Sequence, residues 1–179
     1  NDFTYFELVT GKSWEKYHKD LLHTSRVDYK LLENIEAAQD VLCTTLNLKR
    51  ATANALLGKM IFIRYLIDRN VKLNYEGESK PWTNDEFCTL LDSREKVFDF
   101  FQYLQDADKG FNGDLFPIKV SEFKRIPIKA FKLIQRLLKG EEITTGQLSL
   151  FQIYDFSVLP IEFISNVYEK FIGVDNQAK

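Results

Sequence analysis

The chain has 179 residues, of which 45% are hydrophobic and 28% are charged, and its formal net charge is −2. This length fits one domain, or one domain with an appendage, and the composition excludes a disordered chain. Because the net charge is slightly negative, binding to nucleic acid would require a local basic surface.

The first half of the chain shows helical periodicity. Apolar residues recur at helical spacing over residues 12–22 and 27–46, which predicts two amphipathic helices. Residues 50–70 are apolar on nearly all sides, which predicts a helix that is buried on most of its faces. A polar break follows at residues 74–82.

The second half continues the helical pattern. Thr83 or Asn84 is expected to cap one helix, and Ser93 is expected to start the next. Another helix is predicted over residues 127–139, and the last over residues 160–172. No repeated two-residue alternation suggests a sheet, so the predicted fold class is all-α, an irregular bundle of roughly six to eight helices. We assign residues 1–179 to one helical domain.

Two packing predictions concern the end of the buried helix and the apolar side of the last helix. Asp68 and Arg69, at the end of the buried helix, are expected to form an internal ion pair or a cap-like network. In the last helix the expected apolar stripe consists of Ile161, Ile164, Tyr168 and Phe171. This stripe would pack on the bundle, and any surplus would face a neighbouring domain.

Sequence features of targeting point to a cytoplasmic protein. The longest apolar run, residues 60–67, contains Arg64 and is far shorter than a membrane span. No signal peptide is recognisable, and Cys43 and Cys88 are interpreted as reduced thiols in the core. The chain begins without Met and ends without a tail-like composition, so we expect it to be part of a longer protein.

Four short matches to catalytic or ligand-binding motifs are incomplete. Residues 11–13 lack the first glycine of a phosphate-binding loop, and the Glu15/His18 pair lacks the further ligands of a di-iron site. The acidic loop at 106–114 lacks the glycine and glutamate of an EF-hand. Residues 78–80 resemble part of a nuclease motif but lie in a polar loop. We therefore predict no catalytic, metal-binding or cofactor-binding residue in this chain.

The clearest chemical signal is a cluster of positive charge. Residues 119–139 contain seven basic residues and one acid, Glu122. On the predicted helix 127–139, four cations fall within a stripe about 80° wide, on the side opposite the apolar residues. The candidate DNA-backbone contacts are Lys124, Arg125, Lys129, Lys132, Arg136 and Lys139. A stripe of this kind can neutralise phosphates, but it can equally be the solvated face of an amphipathic helix.

Three stretches together resemble a known family. Residues 33–71 include LLGKMIFIRYLIDRNV, residues 98–117 end in FNGDLFP, and residues 150–173 include YDFSVLPIEFISNVYEKF. In this order and spacing they resemble the helical region of bacterial restriction-modification adenine-N6 DNA methyltransferases, of type I or single-chain type II, where that region precedes the catalytic domain.

The resemblance implies a parent protein that transfers a methyl group from S-adenosylmethionine to adenine in double-stranded DNA. A nuclease or specificity domain or subunit is a further expected partner. The helix at 160–173 would lead toward the methyltransferase domain, which this chain lacks. Neither an Asn-Pro nor an Asp-Pro dipeptide occurs, and no glycine-rich turn follows a strand, so the family's catalytic and cofactor residues have no counterpart here.

Two functions stay open at this point. The chain is either a non-catalytic helical domain that braces the methyltransferase domain and contacts DNA, or a helical protein-interaction module without DNA contact.

Overall fold

A computed structural model describes residues 27–73, 75, 81–106, 117–146, 156–157, 159 and 161–172. Within these ranges the chain forms seven α-helices and no β-strand, so the all-α prediction is confirmed. The predicted helix at 12–22 lies outside the described residues. The helices are α1 (Val27–Asp40), α2 (Arg50–Asp68), α3 (Asn84–Leu90), α4 (Arg94–Gln105), α5 (Val120–Phe123), α6 (Ile128–Leu138) and α7 (Ile161–Ile172).

The predicted helix at 27–46 changes from α-helical to π-helical geometry before it ends. After α1 the chain forms a π-helical turn at Val41–Thr45, in which the Leu46 N–H donates to the carbonyl of Val41 at 3.1 Å. Asn47 then takes a positive φ of 56° and turns the chain toward α2. Asparagine tolerates this left-handed conformation better than most residues. The predicted helix at 27–46 is therefore correct in extent and differs in its last turn.

The long helix α2 is the centre of the bundle, as its apolar sequence predicts. Its side chains are buried on most faces, and it packs against α1, α3, α6 and α7. Each fully buried leucine or isoleucine contributes about 1.5–3 kcal/mol by leaving water. Among the described helices, none is long and apolar enough to span a membrane.

Side-chain caps fix the starts of α3 and α4. The Thr83 hydroxyl accepts from the Glu86 N–H at 3.2 Å, and the Thr83 N–H donates to the Glu86 carboxylate at 2.8 Å, which is a capping box. Ser93 caps α4 by accepting from the Lys96 N–H at 3.3 Å. Both predicted helix starts are confirmed, and Thr83 rather than Asn84 is the cap.

Aromatic packing positions the short helix α5. The ring of Phe123 lies 5.3 Å from that of Phe98, 5.8 Å from that of Phe101 and 5.9 Å from that of Phe131. These contacts join α5 to α4 and α6 at once. As a result the start of α6 is held beside α4, an arrangement that places charged residues of three helices on one surface.

The last helix, α7, packs against α2 on a different face from the one predicted. Phe163, Ile164 and Val167 are buried, whereas Ile161 is 58% exposed and Tyr168 is 40% exposed. At 3.6 residues per turn, Ile161 and Tyr168 lie about 100–120° around the helix from Val167, the centre of the buried arc. The predicted stripe was therefore wrong for these two residues and right for Ile164. The Phe171 side chain lies outside the described residues.

Candidate nucleic-acid interface

The six cations predicted from the sequence are all exposed. Lys124 follows α5, Arg125 lies in the connection to α6, and the other four lie on α6 or at its C-terminal end. The opposite side of α6 is buried, with Phe131, Ile134 and Leu138 in the core. The predicted division of this helix into a basic and an apolar side is confirmed.

Local sequence signals define both ends of α6. Pro127 precedes its first residue, where the missing N–H of proline costs nothing. At the other end Gly140 takes a positive φ of 82°. The Glu141 N–H donates to the Arg136 carbonyl and the Gly140 N–H donates to the Leu137 carbonyl, both at 3.0 Å, which is a Schellman ending.

One predicted cation, Lys132, is paired with an acid from another element. Its ammonium contacts the carboxylate of Asp92, which lies between α3 and α4. The Gln135 amide also donates to this carboxylate at 2.9 Å. Hydrogen bonds from Lys132 and Gln135 lower the pKa of Asp92. The fold thus brings a negative charge to the middle of the basic stripe.

A second cation, Arg136, is paired with Glu141 just beyond the helix. Nε and Nη2 of Arg136 both donate to Oε1 of Glu141, with the Nε distance at 2.8 Å. This contact lowers the pKa of Glu141 and raises that of Arg136. Because Glu141 is bonded to Arg136 through the backbone as well, the helix ending itself brings the two side chains together.

The remaining four predicted cations have no acidic partner within the described part of the chain. These are Lys124, Arg125, Lys129 and Lys139. The one acid in the sequence window, Glu122, accepts from Lys49 at 3.2 Å and from Thr52 at 3.2 Å on α2. The expectation of one opposing acid was therefore incomplete, since Asp92 and Glu141 also reach the stripe.

The buried ion pair at the end of α2 differs from the prediction. Asp68 accepts from Arg64 Nε at 2.8 Å, one helical turn earlier, and from the Phe156 N–H at 3.0 Å. Arg69 instead donates to the Leu159 carbonyl at 2.9 Å and lies over the Tyr65 ring. Residues four apart share a helix face and adjacent residues do not, so Arg64 is the partner that helix geometry favours.

An open cleft of about 440 Å³ lies beside this ion pair. Its lining includes Arg64, Asp68, Trp82, Asn84 and Ser157. The Asn84 amide donates to the Leu138 carbonyl at 3.2 Å, and Arg64 Nη1 donates to the same oxygen at 3.2 Å. The Arg64 and Asn84 side chains thus bond one helix to another, and the described lining of the cleft gives no convergent set of ligand contacts.

The described ranges were also compared with the requirements of metal binding and of a reactive thiol. They contain no group of three or more His, Cys, Asp or Glu residues placed to hold a metal ion. Burial raises the pKa of Cys43 and Cys88, so both thiols are predominantly protonated at neutral pH.

Two cations near the stripe were not singled out from the sequence. Arg94, the first residue of α4, donates from Nη1 to the Lys124 carbonyl at 3.2 Å. Lys49 reaches Glu122 from the start of α2. Both residues are distant from 119–139 in sequence, and no local motif signals their position.

Comparison with protein-family models, with curated proteins and with solved structures found no match to this chain.

Proposed function

We propose that this chain is a non-catalytic helical domain of a DNA adenine-N6 methyltransferase, and that it contacts the DNA backbone. The observation that supports DNA contact is the exposed basic side of α5 and α6, where four of six cations have no acidic partner among the described residues. The family assignment rests on the resemblance of residues 33–71, 98–117 and 150–173.

The chemistry of this surface suits phosphates. Lysine ammonium and arginine guanidinium groups neutralise backbone phosphates and release condensed counterions, which provides affinity without sequence specificity. In this proposal the domain holds the duplex for a neighbouring methyltransferase domain. That domain would bind S-adenosylmethionine and supply the methyl transfer, in a cytoplasmic restriction-modification enzyme with a nuclease or specificity partner.

The contact with the methyltransferase domain is assigned to α7. One side of this helix packs on α2, and Ile161 and Tyr168 project from another side. Apolar side chains at positions seven apart share a helix face, which gives a neighbouring domain a small apolar contact. The same exposed pair favours the second candidate, a protein-interaction module without DNA contact.

DNA binding separates the two candidates. The test variant carries Lys129→Glu, Lys132→Glu and Arg136→Glu, and the control carries Lys30→Glu, Lys72→Glu and Lys170→Glu. The control residues are exposed on or beside α1, α2 and α7, and Lys170 is paired with Glu36 much as Lys132 is paired with Asp92. Both variants change the net charge equally.

Fluorescence anisotropy with a labelled duplex at about 50 mM salt measures binding, and circular dichroism checks the fold. We expect the control to bind within a few-fold of the unmodified chain, and the test variant to lose at least roughly 100-fold in affinity. Equal affinity of both variants, or no binding by the unmodified chain, would contradict DNA contact and favour the interaction module.

A further inference from the structure

We infer where the phosphates of a bound duplex contact this surface. Their path, called the phosphate path below, crosses the start of α6, between α4 and α5, and continues toward the start of α2, instead of following the length of α6. This inference rests on the proposed DNA contact and specifies its location. It assigns Arg94 and Lys49, which lie outside the predicted stripe, to the interface.

Arg94 provides the first link across helices. Its Nη1 donates to the Lys124 carbonyl at 3.2 Å, so the guanidinium of α4 lies against the end of α5. Its Nε is buried and has no hydrogen-bond acceptor in the described part of the chain. A guanidinium has five N–H donors in a planar fork that suits phosphate oxygens. Because Nε is enclosed by the protein, the Nη groups are the part of this fork that can donate to a phosphate, and one Nη1 N–H is already used by the Lys124 carbonyl.

Lys49 provides the second link. Its side chain is 73% exposed, and its ammonium lies 3.2 Å from Glu122 Oε1. Lys119, which precedes α5, acts on the same carboxylate, and the contact with Lys49 is the main cause of the lowered pKa of Glu122. One carboxylate shared by two lysines leaves a net positive charge where α2 begins.

The two ends of α6 differ in charge balance. Around its start, six cations face two nearby carboxylates, Glu95 and Glu122; the cations are Lys49, Arg94, Lys119, Lys124, Arg125 and Lys129. From the middle of α6 to its end there are three cations, Lys132, Arg136 and Lys139, and two of them are paired directly with carboxylates, those of Asp92 and Glu141.

This difference decides where a polyanion binds. Phosphates brought to the end of α6 must compete with Asp92 and Glu141 for the same cations, and they meet like charge within a few ångströms. At the start of α6 the cations outnumber the acids. Phosphates that bind there are therefore neutralised more completely, and the release of their counterions contributes more to the binding affinity. Lys129 and Lys139 are about 15 Å apart along the helix axis, far enough for the two ends to contact different phosphates.

Single substitutions to glutamine test this path, because they remove one charge with little change in size. Arg94→Gln and Lys49→Gln probe the start of the path, and Arg136→Gln and Lys139→Gln probe the end of α6. Lys72→Gln, at an exposed lysine beyond the opposite end of α2, is the matched control.

With a labelled duplex at about 50 mM salt, we expect Arg94→Gln and Lys49→Gln each to weaken binding roughly 3- to 10-fold and to reduce the salt slope by about one. The two variants at the end of α6 should cost measurably less, and the control should bind as the unmodified chain does. The use of two probes on separate helices guards against one of them disturbing the fold.

Larger losses for Arg136→Gln and Lys139→Gln than for the other pair would overturn the inferred path and leave DNA contact standing. If the unmodified chain bound no duplex, the proposed function itself would fail, and the path with it. Binding of poly-glutamate without binding of duplex would likewise overturn the path, in favour of an acidic protein partner.

Discussion

Arg136 and Glu141 contact each other twice, once through the backbone and once through their side chains. The Glu141 N–H donates to the Arg136 carbonyl at 3.0 Å, and Arg136 Nε donates to the Glu141 carboxylate at 2.8 Å. The first bond belongs to the helix ending at Gly140, so the turn that stops α6 also brings an acid onto its basic side.

Removing this acid should strengthen DNA binding. In Glu141→Gln the Arg136 guanidinium loses this charged partner, and the basic side of α6 carries one negative charge fewer. We expect the affinity for duplex to rise roughly 2- to 5-fold at low salt, measured by anisotropy. Glu162→Gln, on the exposed first turn of α7, is the control and should have no effect. A lower affinity of Glu141→Gln would show that this carboxylate positions Arg136 for binding.

The same pair predicts a pH dependence of stability. The Arg136 contact lowers the pKa of Glu141 below its ordinary 4.5, so the carboxylate favours the folded state when it is ionised. This contribution is present above the unfolded-state pKa and is lost as the pH falls through the folded-state pKa.

Urea unfolding of the unmodified chain and of Glu141→Gln should therefore differ near neutral pH by less than about 1 kcal/mol, since Arg136 is half exposed. The difference should disappear in acid. A difference that grew as the pH fell would contradict the sign of the pKa shift.

We predict that the hydrogen bonds of the Asn34 side chain contribute strongly to the stability of the fold. This residue of α1 is only 5% exposed, its amide donates to the Glu141 carbonyl at 2.8 Å, and its oxygen accepts from the Ile143 N–H at 2.8 Å. Asn34→Ala should lower the free energy of unfolding by about 2–3 kcal/mol, because it leaves partly buried backbone groups unpaired. Asn166→Ala, at an exposed site on α7, should change it by less than about 0.5 kcal/mol. Equal effects would contradict this role.

The Arg64–Asp68 pair gives a stability prediction of another kind. Arg64 is 3% exposed, and removing Asp68 would leave its charge without this partner while the Phe156 N–H loses its acceptor. Asp68→Ala should cost about 3 kcal/mol in urea unfolding, and the double variant Arg64→Met, Asp68→Leu should recover part of this loss. Asp99→Ala, on the exposed side of α4, is the control. A double variant less stable than Asp68→Ala would show that the pair stabilises the fold beyond charge compensation.

The helix α6 could be predicted because its sequence pattern is local. The contacts that other elements make with it could not be predicted, because no local pattern indicates them. The periodicity between Pro127 and Gly140 is contained within one stretch of sequence, so the helix and its basic side followed directly. Asp92 meets Lys132 across 40 positions, and Arg94 meets Lys124 across 30. These contacts depend on how Phe123 packs α4, α5 and α6 together, which no local pattern specifies.

The last helix shows the same limit. Its extent was predicted closely and its inward face only in part, because amphipathicity leaves a choice when apolar residues cover more than half of the helix surface. Packing against α2 selected Phe163 and Val167 and left Ile161 exposed. The Asp68 partner likewise follows from helix geometry, once the helix is known to continue through residue 68.

The salt dependence of duplex binding tests the central claim most directly. If about four to six cations neutralise phosphates, the logarithm of the association constant should fall linearly with the logarithm of salt concentration, with a slope of about −4 to −5. Duplexes of unrelated sequence should give the same slope and affinity, since backbone contacts carry no sequence information. No binding at the lowest salt, or a slope near zero, would contradict the claim that this helical domain holds DNA by its backbone.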